Sequence, residues 1–202
     1  MRPPNVSPRY SEVLDERRLL LTHQLGSCLP DGPVSFVWEV GCGHGHFLNA
    51  YAMAHPDKLC LGVDIESNRI ERAEKKRDRA QLKNLHFLRA EARLFLSSLP
   101  ERARASDIFI LFPDPWPKAR HHKHRLLGQE FLAAVAPRTT PDARLCFRTD
   151  HHEYFEAATA AVRASTAWQL VDEVWPFEFS TVFQQRARSH ASFIARRKAS
   201  RH

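Results

Sequence analysis

The sequence predicts an α/β protein built on a mostly parallel, twisted sheet of about seven strands with helices on both faces. Three observations carry that expectation. Short apolar, β-rich runs alternate with longer helix-like segments along most of the chain. A glycine-rich turn, Gly41-Cys42-Gly43-His44-Gly45, stands where the first strand of the series passes into its helix; glycine at alternate positions permits a sharp turn and close approach to a ligand. The uncharged run Ile108-Phe109-Ile110-Leu111 reads as a buried strand of a parallel sheet, and Phe112-Pro113-Asp114-Pro115-Trp116-Pro117-Lys118 stops it with three prolines.

Residues 10–26 place Val13, Leu14, Leu19, Leu20, Leu21 and Leu25 in a helical pattern, which Pro30-Asp31-Gly32-Pro33 ends. Residues 1–33 are thus an N-terminal extension ahead of the main part, 34–202, of a single domain. Val34 to Val40 is the first strand, Gly41 to Gly45 a turn, and His46 to Ala54 a helix. Lys58 to Asp64 is the second strand. Residues 66–82 are rich in charge, with Glu71 four positions before Lys75, and form an exposed helix. Leu85 to Arg89 is a third strand and Ala92 to Leu99 a short helix. The fourth strand, 107–112, feeds the proline loop. Leu126 to Ala136 is helical, Ala143 to Thr149 is a fifth strand, and Glu153 to Ser165 is a helix. Two strand-like runs follow, Trp168 to Val174 and Ala191 to Arg196.

At 202 residues and 43% hydrophobic content, the chain can bury a good-sized core. No apolar stretch approaches the roughly 20 residues that span a bilayer, and Met1-Arg2-Pro3-Pro4 lacks the apolar core of a signal peptide, so a soluble cytoplasmic protein is expected. Cys28, Cys42, Cys60 and Cys146 form no CxxC pair, which suits core thiols in a reducing compartment. The net charge of +7 is unevenly spread. Lys118, Arg120, Lys123 and Arg125 form one acid-free block, and Arg186, Arg188, Arg196, Arg197, Lys198 and Arg201 another. Such blocks favour a polyanion through phosphate neutralisation. His121, His122 and His124 are crowded, and His151 and His152 are adjacent, but no cysteine or acid stands at a usual zinc spacing; no metal is expected.

The motifs converge on one edge of the expected sheet. Glu39 precedes the glycine turn by two residues, and His46 stands where a dinucleotide fingerprint starting at Gly41 would need its third glycine. Asp64 ends the second strand about 20 residues after the turn, the spacing at which a carboxylate accepts the ribose hydroxyls of an adenosine; it also fits as an N-cap of the next helix. Glu91, after the third strand, suits either an adenine edge or a helix cap. Asp114 is presented at the carboxyl end of the fourth strand, where open α/β sheets place ligands. Trp116 fits either a stacking surface for a base or a buried strand-end aromatic.

Together these residues resemble the bacterial tRNA (guanine-N7-)-methyltransferase family, members of the Rossmann-like class I methyltransferases. The resemblance covers roughly Val34 to Gln184. It is most specific over Phe112 to Lys123, a proline-tryptophan loop followed by a basic arm, and continues in Thr149-Asp150-His151-His152-Glu153-Tyr154. It implies S-adenosyl-L-methionine as cofactor, contacted by Glu39, Gly41, Gly43, Gly45, Asp64, Glu91 and Asp114. It implies tRNA as partner, facing Lys118, Arg120, Lys123, Arg125, Asp150, Thr181 and Gln184, in a monomer or homodimer. The sequence departs from the family at Thr181-Val182-Phe183-Gln184, where glutamate is usual at the last position, and Ala187-Arg188-Ser189-His190 lacks the family's glycine.

Guanine N7 carries a lone pair and no proton, so the expected chemistry needs no general base. Asp114 and Asp150 are the carboxylates placed to stabilise the charge that develops on the purine. Two other readings compete: a catalytically weak RNA-binding protein with this fold, and a methyltransferase acting on another RNA, a protein or a small molecule. The basic arm argues against a small-molecule or protein substrate.

Overall fold

The computed structural model describes residues 8–179 and 189–199, with side chains from residue 12 onward. A long helix, α1 (Pro8–Cys28), precedes β1 (Val34–Val40), α2 (His46–Ala54), β2 (Cys60–Asp64), α3 (Ser67–Arg79), β3 (Leu85–Arg89), α4 (Ala92–Ser98) and β4 (Ala103–Leu111). A 3-10 helix over Ala119–His124 leads to α5 (Gln129–Val135), β5 (Thr139–Thr149), α6 (His152–Ala164), β6 (Trp168–Val171) and β7 (Ala191–Arg197). The seven strands lie in the order β3-β2-β1-β4-β5-β7-β6. The first five strands pair in parallel, while β7 is antiparallel to both β5 and β6.

Strand alternation divides the core between the two faces. Phe36, Trp38 and Val40 of β1, Ile108 and Ile110 of β4, and Leu145 and Phe147 of β5 pack toward α1, α4, α5 and α6. Val37, Phe109 and Cys146 point the other way, onto Phe47, Leu48 and Tyr51 of α2 and Ile70 and Ala73 of α3. Both faces of the central strands are covered, which is why they read as continuous apolar runs.

The expected elements are all present, with shifted ends. β4 starts at Ala103 rather than at 107, because Ala103 and Ala105 are buried against β1 ahead of a register shift. β5 begins at Thr139, α5 is confined to Gln129–Val135, and β6 stops at Val171. The N-terminal helix is only half an extension. Leu21, Leu25 and Leu29 join the core with Phe95 and Leu99, whereas Val13, Leu19 and Leu20 are exposed. Among the described residues no helix is long and apolar enough to cross a membrane.

Candidate cofactor and nucleic-acid site

Parallel pairing brings the carboxyl ends of β1 to β5 to one edge. The chain leaves β1 for β2 on one side and β4 lies on the other, so the loop after β1 stands at the topological switch point, where such sheets open a crevice. Glu39, the glycine turn, Asp64, Glu91, Asp114 and Asp150 all belong to this edge.

The glycine turn is packed below and open above. Gly41, Gly43 and Gly45 have φ of 70°, 53° and 67°, in the left-handed region that favours glycine. The N–H groups of Gly41 and Cys42 both donate to the Val63 carbonyl, at 2.8 and 3.0 Å. A Cβ on Gly45 would lie 2.6 Å from Phe87 and 2.7 Å from Ala73, and one on Gly62 would lie 2.5 Å from Phe87. Nothing lies within 4 Å of the Cβ positions of Gly41 and Gly43, so that side of the turn is free to receive a ligand.

Asp64 is 4% exposed and holds the turn in place. Its Oδ2 accepts the Gly43 N–H at 2.9 Å and lies 3.7 Å from Arg69; its Oδ1 accepts the Glu66 N–H, also at 2.9 Å. The N-cap of α3 is Glu66, so Asp64 closes the turn before the helix instead of capping it. Glu39 is 5% exposed and takes the Leu48 N–H, in the first turn of α2, as its partner; its Oε2 is buried with none. Burial, above all, lifts its carboxyl to about 8; the Leu48 bond opposes the rise and Asp64 adds to it. Burial likewise holds the Cys42 thiol well above its ordinary value.

Three carboxylates stand at the rim. Glu91 occupies the N-cap position of α4 but its side chain makes no capping bond, and it is exposed. Asp114 and Asp150 are also exposed. Below Asp150 the start of α6 is fixed without it, because Thr149 Oγ1 accepts the His151 N–H and His151 Nδ1 accepts the Tyr154 N–H, each at 3.2 Å.

The proline loop is stiff and unusual in backbone. Phe112 and Trp116 have φ of 49° and 44°, an uncommon region for bulky side chains. The Phe112 N–H donates to the Arg148 carbonyl at 2.8 Å, which continues the β4–β5 ladder into the loop. Trp116 is 37% exposed, so it is not a buried strand-end aromatic. Its ring stands 5.8 Å from His121, edge-on, and 5.1 Å from His124.

The basic arm divides. Lys118, Arg120 and Lys123 are exposed. Arg125 turns inward: its side chain is 6% exposed, donates to the Pro115 carbonyl at 2.8 Å, pairs with Glu153 at 3.3 Å and lies 5.1 Å above the Tyr154 ring. Buried Tyr154 in turn accepts the Leu127 N–H at 2.9 Å. Arg125 and Tyr154 therefore brace the arm, and the guanidinium of Arg125, expected to face the RNA, is engaged within the arm itself. The described members of the second basic block are also engaged by the fold. Arg196 pairs with Glu173, Arg197 donates to the Ala136 and Ala167 carbonyls, and Lys198 donates to the Ser165 carbonyl. Antiparallel pairing sets Arg196 opposite Arg144, so these cations lie near the amino end of β5, away from the site edge. Arg186, Arg188, Arg201, Thr181 and Gln184 lie outside the described residues.

One feature was missed in the sequence. Arg148, buried near the end of β5, makes a two-pronged pair with Glu178 at 2.8 and 3.0 Å and lies 4.1 Å over Trp175, tying residues 175–178 across the sheet. The signal available was an arginine inside an otherwise apolar strand. Among the described residues no group of three or more His, Cys, Asp or Glu is placed to hold a metal.

The fold and this edge define a class I methyltransferase architecture, and comparison with known proteins gives the family. A family model described as "Putative methyltransferase" matches residues 34–194. A tRNA (guanine-N(7)-)-methyltransferase of Caulobacter vibrioides (strain NA1000 / CB15N) is 37% identical over 178 residues, 83% of this chain and 76% of that protein. One from Thermosynechococcus vestitus is 34% identical over 137 residues, 68% of this chain and 64% of the relative. The chain belongs to the tRNA (guanine-N7-)-methyltransferase family. Among solved structures, a 16S rRNA (adenine(1408)-N(1))-methyltransferase from Catenulisporales acidiphilia with cosubstrate SAM has a TM-score of 0.57 at 17% identity, covering 90% of this chain and 93% of that one; at this identity it speaks for the fold.

Proposed function

We propose that this protein transfers a methyl group from S-adenosylmethionine to N7 of a guanine in the variable loop of tRNA. The observation that carries the proposal is the sorting of carboxylates along one edge: Glu39 and Asp64 buried around an open glycine turn, Asp114 and Asp150 exposed beside a cationic arm. The cofactor fits the residues present. Gly41 and Gly43 leave room for its amino-acid portion, the unpartnered Glu39 Oε2 is an acceptor for an ammonium, and Asp64 retains lone pairs for ribose hydroxyls.

S-adenosylmethionine supplies a methyl group on a positively charged sulfur. The protein's part is to align it with the guanine lone pair and to exclude competing water, since no proton must be removed before attack. Asp114 and Asp150 accept N–H donors of the base and oppose the positive charge that grows on it. Lys118, Arg120 and Lys123 bind phosphates, and Trp116, held exposed in its strained loop, offers a face for stacking. Thr181 and Gln184 complete the substrate side in this reading.

The test is to incubate the protein with labelled methyl donor and unmodified tRNA, then digest and separate the nucleosides. Label in 7-methylguanosine is the expected result. Label in another nucleoside, or none with cofactor bound, overturns the proposal.

A further inference from the structure

Helix α3 sorts its charges by face. At 3.6 residues per turn, Arg69, Arg72, Lys75, Lys76 and Arg79 fall within about 120° of its circumference, while Glu71, Glu74 and Asp78 lie on another side. Arg77, outside the cationic arc, pairs with Glu74 and Asp78. Among the described residues Arg72, Lys75 and Arg79 form no ion pair, and all three are exposed. The arrangement opposes helix stability, because Arg72 and Lys76, like Lys75 and Arg79, are like charges at i and i+4. The helix dipole accounts for cations in the last turn, Lys76, Arg77 and Arg79, but not for Arg69 in the first turn, where positive charge is unfavourable, nor for Arg72 and Lys75 between the ends.

The row borders the cleft. Lys76 Nζ donates to the His44 carbonyl of the glycine turn at 2.8 Å, and Arg69 lies 3.7 Å from Asp64. Behind burial as the first cause, Lys76, Arg72 and Arg69 hold the His44 imidazole below its ordinary value. From Arg69 to Arg79 the row runs about 15 Å along the helix. The arm after β4 lies on the other side of the glycine turn in the strand order.

We propose that the cationic face of α3 is a second phosphate-binding surface for the RNA substrate, so that the nucleic acid straddles the cofactor cleft between the arm and this helix. The inference rests on the tRNA reading above. An RNA anchored on Arg120 and Lys123 that extends across the cleft reaches α3 on the far side of the glycine turn, and its backbone neutralises a row of charges that otherwise repel one another.

The experiment replaces Arg72, Lys75 and Arg79 together by alanine and leaves Arg69 and Lys76 to hold Asp64 and the turn. Binding to unmodified tRNA is measured over a range of salt, beside wild type and an Arg120→Ala/Lys123→Ala variant. Affinity should fall about tenfold, and the slope of log affinity against log salt should flatten by up to about 0.7 to 0.9 for each phosphate no longer neutralised. Cofactor affinity should match wild type; a parallel loss would assign these residues to the pocket and overturn the proposal. If the arm variant flattens the slope and the α3 variant does not, α3 is a solvated face and the inference fails while the tRNA reading stands. If wild type neither binds nor methylates tRNA, both fail together.

Discussion

Replacing Glu39 by glutamine should stabilise the cofactor-free protein near neutral pH while weakening its cofactor site. The Glu39 carboxyl rises from 4.5 to about 8 on folding, because it is buried with one oxygen unpartnered. Between those values the unfolded chain is ionised here and the folded chain is protonated, so folding takes up a proton and the free energy of unfolding falls as pH rises through the window. The penalty grows by about 3 kcal/mol between about pH 5 and pH 7.5, at 1.36 kcal/mol per unit. Glutamine keeps an acceptor for the Leu48 N–H and does not titrate. Denaturant unfolding of both proteins at the two pH values is the assay: the difference in stability should move in favour of Glu39→Gln by about 2–3 kcal/mol as pH is raised. Parallel pH dependences would refute the reasoning, since they would mean that the carboxyl is ionised in the fold at both pH values. Calorimetry should also show cofactor affinity reduced by about 1–3 kcal/mol, because the cofactor's ammonium draws the Glu39 carboxyl into its ionised form on binding and glutamine offers no charge.

Gly45→Ala forces a side chain against Phe87 and Ala73 at positive φ, so chemical denaturation should show a loss of about 2–4 kcal/mol, well above that for Gly41→Ala, which meets only the backbone cost. Asp64→Ala should weaken cofactor binding by about 1–3 kcal/mol by calorimetry and also lower stability, because the Gly43 and Glu66 N–H groups lose their acceptor; unchanged cofactor affinity in a folded variant would remove Asp64 from the site. Tyr154→Phe strands the buried Leu127 N–H and should cost about 1–3 kcal/mol in unfolding experiments. Arg125→Ala should weaken tRNA binding through a misplaced arm with little change in salt slope, whereas Arg120→Ala/Lys123→Ala should flatten it by up to about 0.9 per phosphate released.

The strands and the site edge were legible because their signals are local. Ile108 to Leu111 reads as a buried strand of a parallel sheet and lies in β4, and glycine at 41, 43 and 45 marks a tight turn in which all three residues are left-handed. The antiparallel course of β7 was not legible, since strand direction is decided by connections and not by composition. The fate of the cations was not legible either. Arg125 and Arg120 sit in one basic run, yet one braces Pro115 and Tyr154 while the other faces solvent, a difference set by where Glu153 and Tyr154 arrive from α6. Charge runs report what a segment carries, and only the fold says which members another element has already claimed. The exposed helix read over 66–82 is present as Ser67–Arg79, but that its cationic face borders the cleft emerged only with the glycine turn beside it.

The central claim is that this edge directs a methyl group to N7 of a guanine, and an atomic substitution in the RNA tests it most directly. A tRNA transcript with 7-deazaguanine in place of guanine keeps its base-pairing edge and its phosphates but offers carbon where N7 stood. With labelled methyl donor in excess, the ordinary transcript should take up label and the 7-deaza transcript none, while both bind with similar affinity. Equal labelling of the two transcripts would contradict the account, because the acceptor would then be some other atom.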